Sequence, residues 1–182
     1  MSQKVLLNKK EVNIILHRLA CQLIEKHIDF SNTILVGLQP RGKFLANRLR
    51  GILINDYSIQ NVQIGFLDIT FYRDDFRRSD KVLNPNSNEM EFIVEGKNVV
   101  FIDDVLFTGR SIRAALTAIQ SYGRPNSIEL LILIDRRFSR HLPIQPDYIG
   151  KSVNTLDSEK IIVNWKEENK SDKVLIIKSF NE

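Results

Sequence analysis

The sequence is poor in cysteine and has no long hydrophobic run, and both absences narrow what the protein can be. Cys21 is its single cysteine, so an internal disulfide is impossible and nothing favours an oxidising compartment. No apolar stretch is long enough to cross a membrane, and the first residues lack the apolar core of a secretory signal peptide. We therefore expect a cytoplasmic protein without a membrane partner.

A large excess of one charge is also missing. The chain carries 26 Lys and Arg against 22 Asp and Glu, which gives a formal net charge of +4 and a pI near 9.2. A balance this mild permits phosphate ligands or RNA without requiring either. Because 43% of the 182 residues are hydrophobic and no repeat or linker interrupts them, we predict a single domain over 1–182.

Apolar patterns typical of strands and helices alternate along the chain, which predicts an α/β fold with a central, mostly parallel sheet flanked by helices. Asn8 is placed to cap a first helix that begins near Lys9. Further helices are expected from apolar stripes that include Phe44 to Ile52 and a set formed by Ile112, Ala115, Leu116 and Ile119. We predict strands at 33–36, 62–70, 99–102 and 127–134, and a C-terminal strand pair at 160–165 and 173–178.

The segment VVFIDDVLFTGRSIRA carries the clearest chemistry. Its apolar start predicts a buried strand, so Asp103 and Asp104 fall at the strand's carboxyl end, where open α/β sheets bind ligands. Thr108, Gly109 and Ser111 follow just before a helix, whose N-terminal N–H groups favour phosphate. The carboxylates suit sugar hydroxyls or Mg²⁺ instead. The pattern predicts a site for a sugar that carries a phosphate and a metal-bound polyphosphate. The alternative is a strand ending in solvated acids before an ordinary helix cap.

Two loops around this segment add to the prediction. The loop GLQPRG at 37–42 combines glycines, which allow close backbone approach, with Arg41, which offers a planar fork of donors to a pyrophosphate. An ordinary strand-to-helix turn with an exposed arginine is the alternative. The segment at about 71–91 is too polar to pack and too long for a simple connection, so we expect a lid over the site or a disordered hairpin.

These motifs resemble the phosphoribosyl pyrophosphate (PRPP) signature of type I phosphoribosyltransferases, in which four apolar residues precede two acids and an apolar-Thr-Gly-polar loop. In their order, the blocks ILVGLQPRGKFLANRL, DITFYRDDF, VVFIDDVLFTGRSIRAAL, GRPNSIELLILIDR and LPIQPDYIGKSV are similar to the PyrR family. Its members are bacterial pyrimidine operon attenuation regulators that are also uracil phosphoribosyltransferases. The resemblance implies the type I phosphoribosyltransferase fold with a small hood at about 136–165.

The same resemblance implies an activity and partners. The activity is transfer of the phosphoribosyl group of PRPP to uracil, giving UMP and pyrophosphate with Mg²⁺. The partners are a leader mRNA hairpin, bound when UMP is present, and further copies of the chain in a dimer or larger homo-oligomer. A nucleotide-sensing RNA-binding regulator with little catalysis is the alternative.

Site residues carry over from the resemblance position by position. Asp103 and Asp104 would hold ribose hydroxyls and Mg²⁺, and Arg41 with Gly42 would take the pyrophosphate. Tyr72 and Arg73 would close over the leaving group, so that Arg41 and Arg73 stabilise its charge. The loop that would surround the 5′-phosphate consists of Val105, Leu106, Phe107, Thr108, Gly109, Arg110 and Ser111.

Base and RNA contacts are carried over from the same resemblance. Arg136 and backbone groups near Tyr148 and Ile149 would read uracil. Phe107 stands where purine-using relatives often carry a carboxylate, which disfavours a guanine or hypoxanthine enzyme and leaves the acceptor of the uracil N1 proton unassigned. The basic residues that would face RNA are Arg18, Arg137, Arg140 and Lys151, although solvated charges explain them equally well.

Overall fold

The computed structural model describes residues 2–72, 89–90, 92–156 and 158–178 of the chain. Its helices are α1 (Lys9–His27), α2 (Gly42–Asn55) and α3 (Arg110–Ala118), with 3₁₀ turns at Thr70–Tyr72 and Ile119–Tyr122. Its strands are β1 (Ser2–Leu7), β2 (Thr33–Leu38), β3 (Gln63–Leu67), β4 (Asn98–Leu106), β5 (Ser127–Arg136), β6 (Tyr148–Val153), β7 (Glu159–Asn164) and β8 (Lys173–Lys178).

A five-stranded parallel sheet in the order β3-β2-β4-β5-β6 forms the centre of the described chain. All six residues of β2 are buried, as expected for a strand that is covered on both faces by helices. The core on one face includes residues of α1 and α2, and the core on the other includes residues of α3. The predicted α/β fold is confirmed.

Local sequence signals set the helix ends. Asn8 Oδ1 accepts a hydrogen bond from the Glu11 N–H (3.0 Å), and Glu11 Oε2 accepts one from the Asn8 N–H (2.8 Å). This reciprocal capping box starts α1 at Lys9, as predicted. The apolar stripe of α3 was predicted less well: Ile112 and Ala115 are buried, whereas Leu116 is 37% exposed.

Several strands have other bounds than the sequence predicts. β4 continues from the apolar run through Asp103 and Asp104 to Leu106, because its pairing with β5 extends that far. β3 stops at Leu67, short of the predicted 62–70, since Asp68 Oδ1 accepts the Thr70 N–H (2.8 Å) and turns the chain.

A second sheet, which we call the small sheet, is antiparallel and has the order β1-β8-β7. The predicted C-terminal strand pair is confirmed as β7 and β8, but the hood predicted at 136–165 needs correction. β6 pairs with β5 as the edge of the main sheet, and the small sheet is completed by β1. The N-terminal strand was missed because its partner lies at the other end of the chain. Among the described residues, no helix has the length and apolarity needed to cross a bilayer.

Candidate active site

The carboxyl ends of the parallel strands bring the predicted loops to one edge of the main sheet. Gly37 of β2 lies opposite Ile102 of β4, and Leu106 of β4 lies opposite Asp135 of β5. The loops that follow these strands therefore begin side by side, as ligand-binding loops do in open α/β sheets.

The turn between β4 and α3 encloses a cavity of about 480 Å³. Gly109 has φ +90°, a left-handed conformation that glycine adopts without steric cost, and α3 starts at the next residue. The Thr108 hydroxyl accepts from the Arg110 N–H at 3.4 Å. Of the predicted phosphate-binding loop, the structure brings all seven members to this cavity: Val105, Leu106, Phe107, Thr108, Gly109, Arg110 and Ser111. Asp103, Ile112 and His141 complete its lining.

The two carboxylates of β4 differ in environment. Asp103 is half-buried, and its Oδ1 accepts from the Asp104 N–H (2.9 Å). Asp104 is only 6% exposed, and its Oδ2 has no hydrogen-bond partner among the described residues. Burial raises the pKa of Asp104 to about 6, although Arg41 opposes this because its Nη1 lies 3.9 Å from Asp104 Oδ2. A buried oxygen with a spare acceptor position is suited to a cation or a hydroxyl donor.

Arg41 and Gly42 bring the loop after β2 close to these carboxylates. A Cβ atom at Gly42 would lie 2.2 Å from the carbonyl oxygen of Ile102, so only glycine allows the loop to pack directly on β4. The peptide bond between Gln39 and Pro40, just before Arg41, is cis. Arg41 Nη1 also donates to the Val163 carbonyl of β7 (3.0 Å). One guanidinium thus joins the main-sheet edge to the small sheet.

Arg136 links the β4–α3 turn to the segment that leads into the small sheet. Its guanidinium lies 4.0 Å from the centre of the Phe107 ring, which is a favourable cation–π distance. Arg136 Nε donates to Thr155 Oγ1 (2.8 Å) and Nη2 donates to the Leu156 carbonyl (3.1 Å). The predicted base contact Arg136 is therefore at the edge of the site, held in place by residues that the sequence analysis did not single out.

Tyr148 and Ile149 lie elsewhere. Tyr148 is opposite Leu131 in the middle of the sheet, packed in the α1-side core, and its hydroxyl donates to Glu129 Oε2 (2.6 Å). The Ile149 carbonyl accepts from Arg18 Nη2 (3.0 Å). The prediction assumed that this segment belongs to the hood, but β6 is a main-sheet strand whose carboxyl end is Val153, so Tyr148 is not brought to the site.

The residues predicted to face RNA are only partly available to an external ligand. Arg18 donates to two carbonyls of β6, and Arg140 donates to Asp135 and to the Phe107 carbonyl. Arg137 is exposed and Lys151 is half-buried on β6. Arg137, Arg140 and Ile149 line a separate cavity of about 540 Å³.

The predicted lid at 71–91 falls mostly outside the described residues, and Arg73 is among those that are not described. Tyr72 is described: it ends a 3₁₀ turn, is 41% exposed and donates its N–H to the Ile69 carbonyl (3.0 Å). Its position directly after β3 places it on the same edge as the carboxylates.

Comparison with known proteins shows the family of this chain. Residues 2–169 match the family model described as "Phosphoribosyl transferase domain". A "Bifunctional protein PyrR" of Geobacter sp. (strain M21) is 42% identical over 174 residues, which cover 96% of this chain and 97% of that protein. The chain belongs to the PyrR family. A further PyrR, from Enterococcus faecalis (strain ATCC 700802 / V583), is 38% identical over 178 residues, covering 98% of each chain.

Solved structures share the PyrR family's fold at low sequence identity. A hypoxanthine phosphoribosyltransferase of Trypanosoma cruzi superposes with a TM-score of 0.73 at 14% identity, covering 97% of this chain and 91% of that one. One from Staphylococcus aureus gives 0.68 at 20% identity, covering 97% and 92%. The type I fold is thus confirmed.

The carboxylates of this PyrR site fit a metal ion for which the protein supplies only some of the ligands. The described residues contain no group of three or more His, Cys, Asp or Glu placed to bind a metal ion. Asp103 and Asp104 are two adjacent carboxylates, and Mg²⁺ is usually bound through one or two carboxylates together with substrate phosphates and water. Asp104 Oδ2, which accepts no hydrogen bond from the described residues, is suited to such an ion or to a sugar hydroxyl.

Proposed function

We propose that the protein transfers the phosphoribosyl group of PRPP to uracil and releases pyrophosphate and UMP. The observation that carries this proposal is the meeting of three features at one sheet edge. A cavity ends at the start of α3, a buried carboxylate has one oxygen without a hydrogen bond among the described residues, and Arg41 lies between that carboxylate and the small sheet. Membership of the PyrR family supports the same activity.

Each part of the site has a task in the proposed reaction. The turn 105–111 binds the 5′-phosphate through N–H groups and hydroxyls, and Asp103 with Asp104 holds the ribose hydroxyls and Mg²⁺. When bound, Mg²⁺ neutralises charge on the departing pyrophosphate. Arg41, with Arg73 as a further candidate from the lid, stabilises that charge as the bond between C1′ and the pyrophosphate oxygen breaks and the bond to uracil N1 forms. Tyr72 and the lid would exclude water from C1′.

The base is placed beside Arg136 and Phe107. Arg136 is held at the site by Thr155 and Leu156, and the β7 carbonyl of Val163 contacts Arg41, so backbone groups of this region are near enough to read uracil's donors and acceptors. Phe107 carries no group that can accept the N1 proton, which therefore leaves to water or to another residue. An apolar ring here also supports a pyrimidine rather than a purine substrate.

A regulatory role accompanies the transferase activity in this proposal. The curated relatives carry the name "Bifunctional protein PyrR". Arg137 is exposed after β5, and Lys151 is half-buried on the neighbouring strand β6, opposite Ile134. We assign these two residues, with Arg18 as a further candidate, to UMP-dependent binding of a leader mRNA hairpin, whose phosphates attract cationic groups. We also propose that the protein forms a homo-oligomer, either a dimer or a larger assembly.

In the decisive experiment the protein is incubated with PRPP, Mg²⁺ and one of four bases, and the release of pyrophosphate is measured. The bases are uracil, cytosine, hypoxanthine and guanine. Turnover with uracil alone is expected. Turnover with a purine instead would overturn the base assignment, and absence of turnover with tight UMP binding would favour a sensor. The double variant Asp103→Asn/Asp104→Asn serves as the control: it should stay folded and lose transfer, because both hydroxyl and metal ligands are removed.

A further inference from the structure

The carbonyl groups of the β4–α3 turn are all occupied by protein donors. The Phe107 carbonyl accepts from Arg140 Nη1, the Thr108 carbonyl accepts from the His141 N–H (3.0 Å), and the Gly109 carbonyl accepts from the Arg113 N–H (3.0 Å). A free carbonyl oxygen at a phosphate site would repel the anion. Because these three are engaged, the turn presents N–H groups and hydroxyls to the cavity.

Two of the three donors come from one short segment after β5. Arg140 and His141 follow each other, so the segment approaches the turn with a side-chain donor and a backbone donor together. Its next residues pack against the same turn: a Cβ atom at Gly109 would lie 3.1 Å from Ile144 Cδ1 and 3.5 Å from Leu142 Cβ. The segment 140–144 therefore forms the support behind the turn.

Arg140 itself is fixed by a buried carboxylate. Its Nη2 donates to Asp135 Oδ1, and Asp135 is 6% exposed at the end of β5, opposite Leu106 of β4. The two terminal nitrogens of one guanidinium thus bridge the end of β5 and the Phe107 carbonyl. A planar fork can span two acceptors in this way, whereas a lysine ammonium is a point charge on a flexible stem.

We infer that Arg140 is a positioning residue for the phosphate-binding turn: through Asp135 it holds the Phe107 carbonyl and so shapes the turn that receives the 5′-phosphate. The inference deepens the proposed function and rests on it for the identity of the ligand. It also changes the role of Arg140, which was predicted to face RNA, because both of its terminal nitrogens donate to acceptors inside the protein.

The test compares the binding of UMP and uridine, which differ only in the 5′-phosphate, by calorimetry. Wild type is expected to bind UMP more tightly. Arg140→Ala should raise the Kd of UMP about tenfold, as expected for loss of a charge-assisted hydrogen bond. The Kd of uridine should change less than about twofold. Arg140→Lys keeps the charge but not the fork, so it should restore only part of the UMP affinity. A variant that is merely less stable would lose affinity for UMP and for uridine to the same extent.

Two further variants make the outcome specific. Asp135→Asn should lower UMP affinity as Arg140→Ala does, and the double variant should be no weaker than either single one, because both act through one link. Arg124→Ala removes an exposed arginine near the start of β5 and should change neither Kd. An unchanged ratio of UMP to uridine affinity in Arg140→Ala would overturn the inference, and a selective loss of RNA-hairpin binding would return Arg140 to an RNA-facing role. If UMP discrimination depends on Arg140 but no base is turned over, the inference stands and the proposed transfer fails.

Discussion

At the scale of single residues, a polar cluster inside the α1-side core shows how burial sets charge. His27, whose side chain is 3% exposed, lies 3.3 Å from Glu129 Oε2, and its other nitrogen lies 3.0 Å from Thr33 Oγ1. Burial lowers the pKa of His27 despite the nearby carboxylate. Glu129 stays ionised because Tyr148 and Lys26 bond to it and lower its pKa. The folded protein therefore keeps a neutral histidine beside a charged glutamate.

This cluster predicts how stability depends on pH. Since the pKa of His27 is lower when folded than the 6.5 of the free side chain, the unfolded chain binds the proton more readily as the solution is acidified. The free energy of unfolding should stay constant above about pH 7 and fall below about pH 6.5. Urea titrations between about pH 5 and about pH 8 measure this. His27→Gln should reduce the slope, whereas His17→Gln, a half-exposed histidine of the same helix, is the matched control. Equal slopes in wild type and His27→Gln would contradict the explanation.

Two glycines of α2 give a contrasted pair of substitutions. At Gly42 a Cβ atom would meet the backbone oxygen of Ile102 at 2.2 Å, whereas at Gly51 the nearest atom, Asn55 Nδ2, is 4.0 Å away. Gly42→Ala should displace the loop and cost about 2–4 kcal/mol, in the range of severe core strain. Gly51→Ala should stabilise the helix by about 0.5–1 kcal/mol. Thermal unfolding decides the matter, and a Gly42→Ala protein as stable as wild type would show that the loop has room to move.

At the scale of elements, one arginine ties the small sheet to α2. Arg48 donates to Asp172 Oδ1 (2.7 Å) and to Glu167 Oε2 (2.8 Å) in the β7–β8 connection. Its guanidinium also lies 4.8 Å from the centre of the Trp165 ring. Asp172 is 6% exposed and also accepts from the Lys166 N–H (2.8 Å), so Arg48 supplies the positive charge that is bonded to this buried carboxylate. The orientation of β7 above the main sheet therefore depends on contacts made by α2.

Arg48→Ala should cost about 3–5 kcal/mol, because the buried Asp172 carboxylate loses its guanidinium partner and keeps the hydrogen bond from the Lys166 N–H. Amide hydrogen exchange should increase first in β7 and β8. The matched control is Arg50→Ala, an exposed residue of the same helix whose Nε donates to the Val62 carbonyl (3.2 Å). Protection of β7 and β8 that is unchanged in Arg48→Ala would mean that β1 alone holds the small sheet in place.

The elements also show where sequence reasoning succeeds. The strands β2 and β4 were predicted because each contains a run of consecutive apolar residues. The start of α1 was predicted because Asn8 is a local capping signal. The residues of the turn 105–111 were found because they are contiguous and so reach one cavity together. β1 was missed because its partner β8 lies at the other end of the described chain. The Arg140–Asp135 link was missed although the two residues are only five positions apart, because the irregular segment after β5 has no sequence pattern that predicts how its side chains turn back. β6 was assigned to the hood because the resemblance, rather than a strand pattern in the residues, supplied the bounds 136–165.

At the scale of the whole molecule, ligand binding should raise stability by mass action. PRPP engages the turn, the carboxylates and Arg41 together in the proposed complex, whereas UMP lacks the pyrophosphate. Arg41→Ala should therefore weaken the binding of PRPP and of pyrophosphate more than the binding of UMP. At about 100 times its Kd, PRPP with Mg²⁺ should add about 2.7 kcal/mol to the free energy of unfolding of wild type, and chelation of Mg²⁺ should remove most of it.

Thermal shifts with each ligand measure these differences. Arg124→Ala, which changes an arginine far from the carboxyl edge, should respond to all three ligands as wild type does. An equal loss for PRPP, pyrophosphate and UMP in Arg41→Ala would contradict the placement of the pyrophosphate beside the loop after β2.

The pairing of β1 with β8 places Ser2 opposite Lys178, so the two ends of the described chain meet in one strand pair. During translation β1 is made before all five strands of the main sheet, and its partner β8 is made after them. The main sheet can assemble in that interval, because its strands follow one another along the chain. Among the described elements the small sheet is then completed after the main sheet, and Arg41 gains its Val163 partner only once β7 has been made.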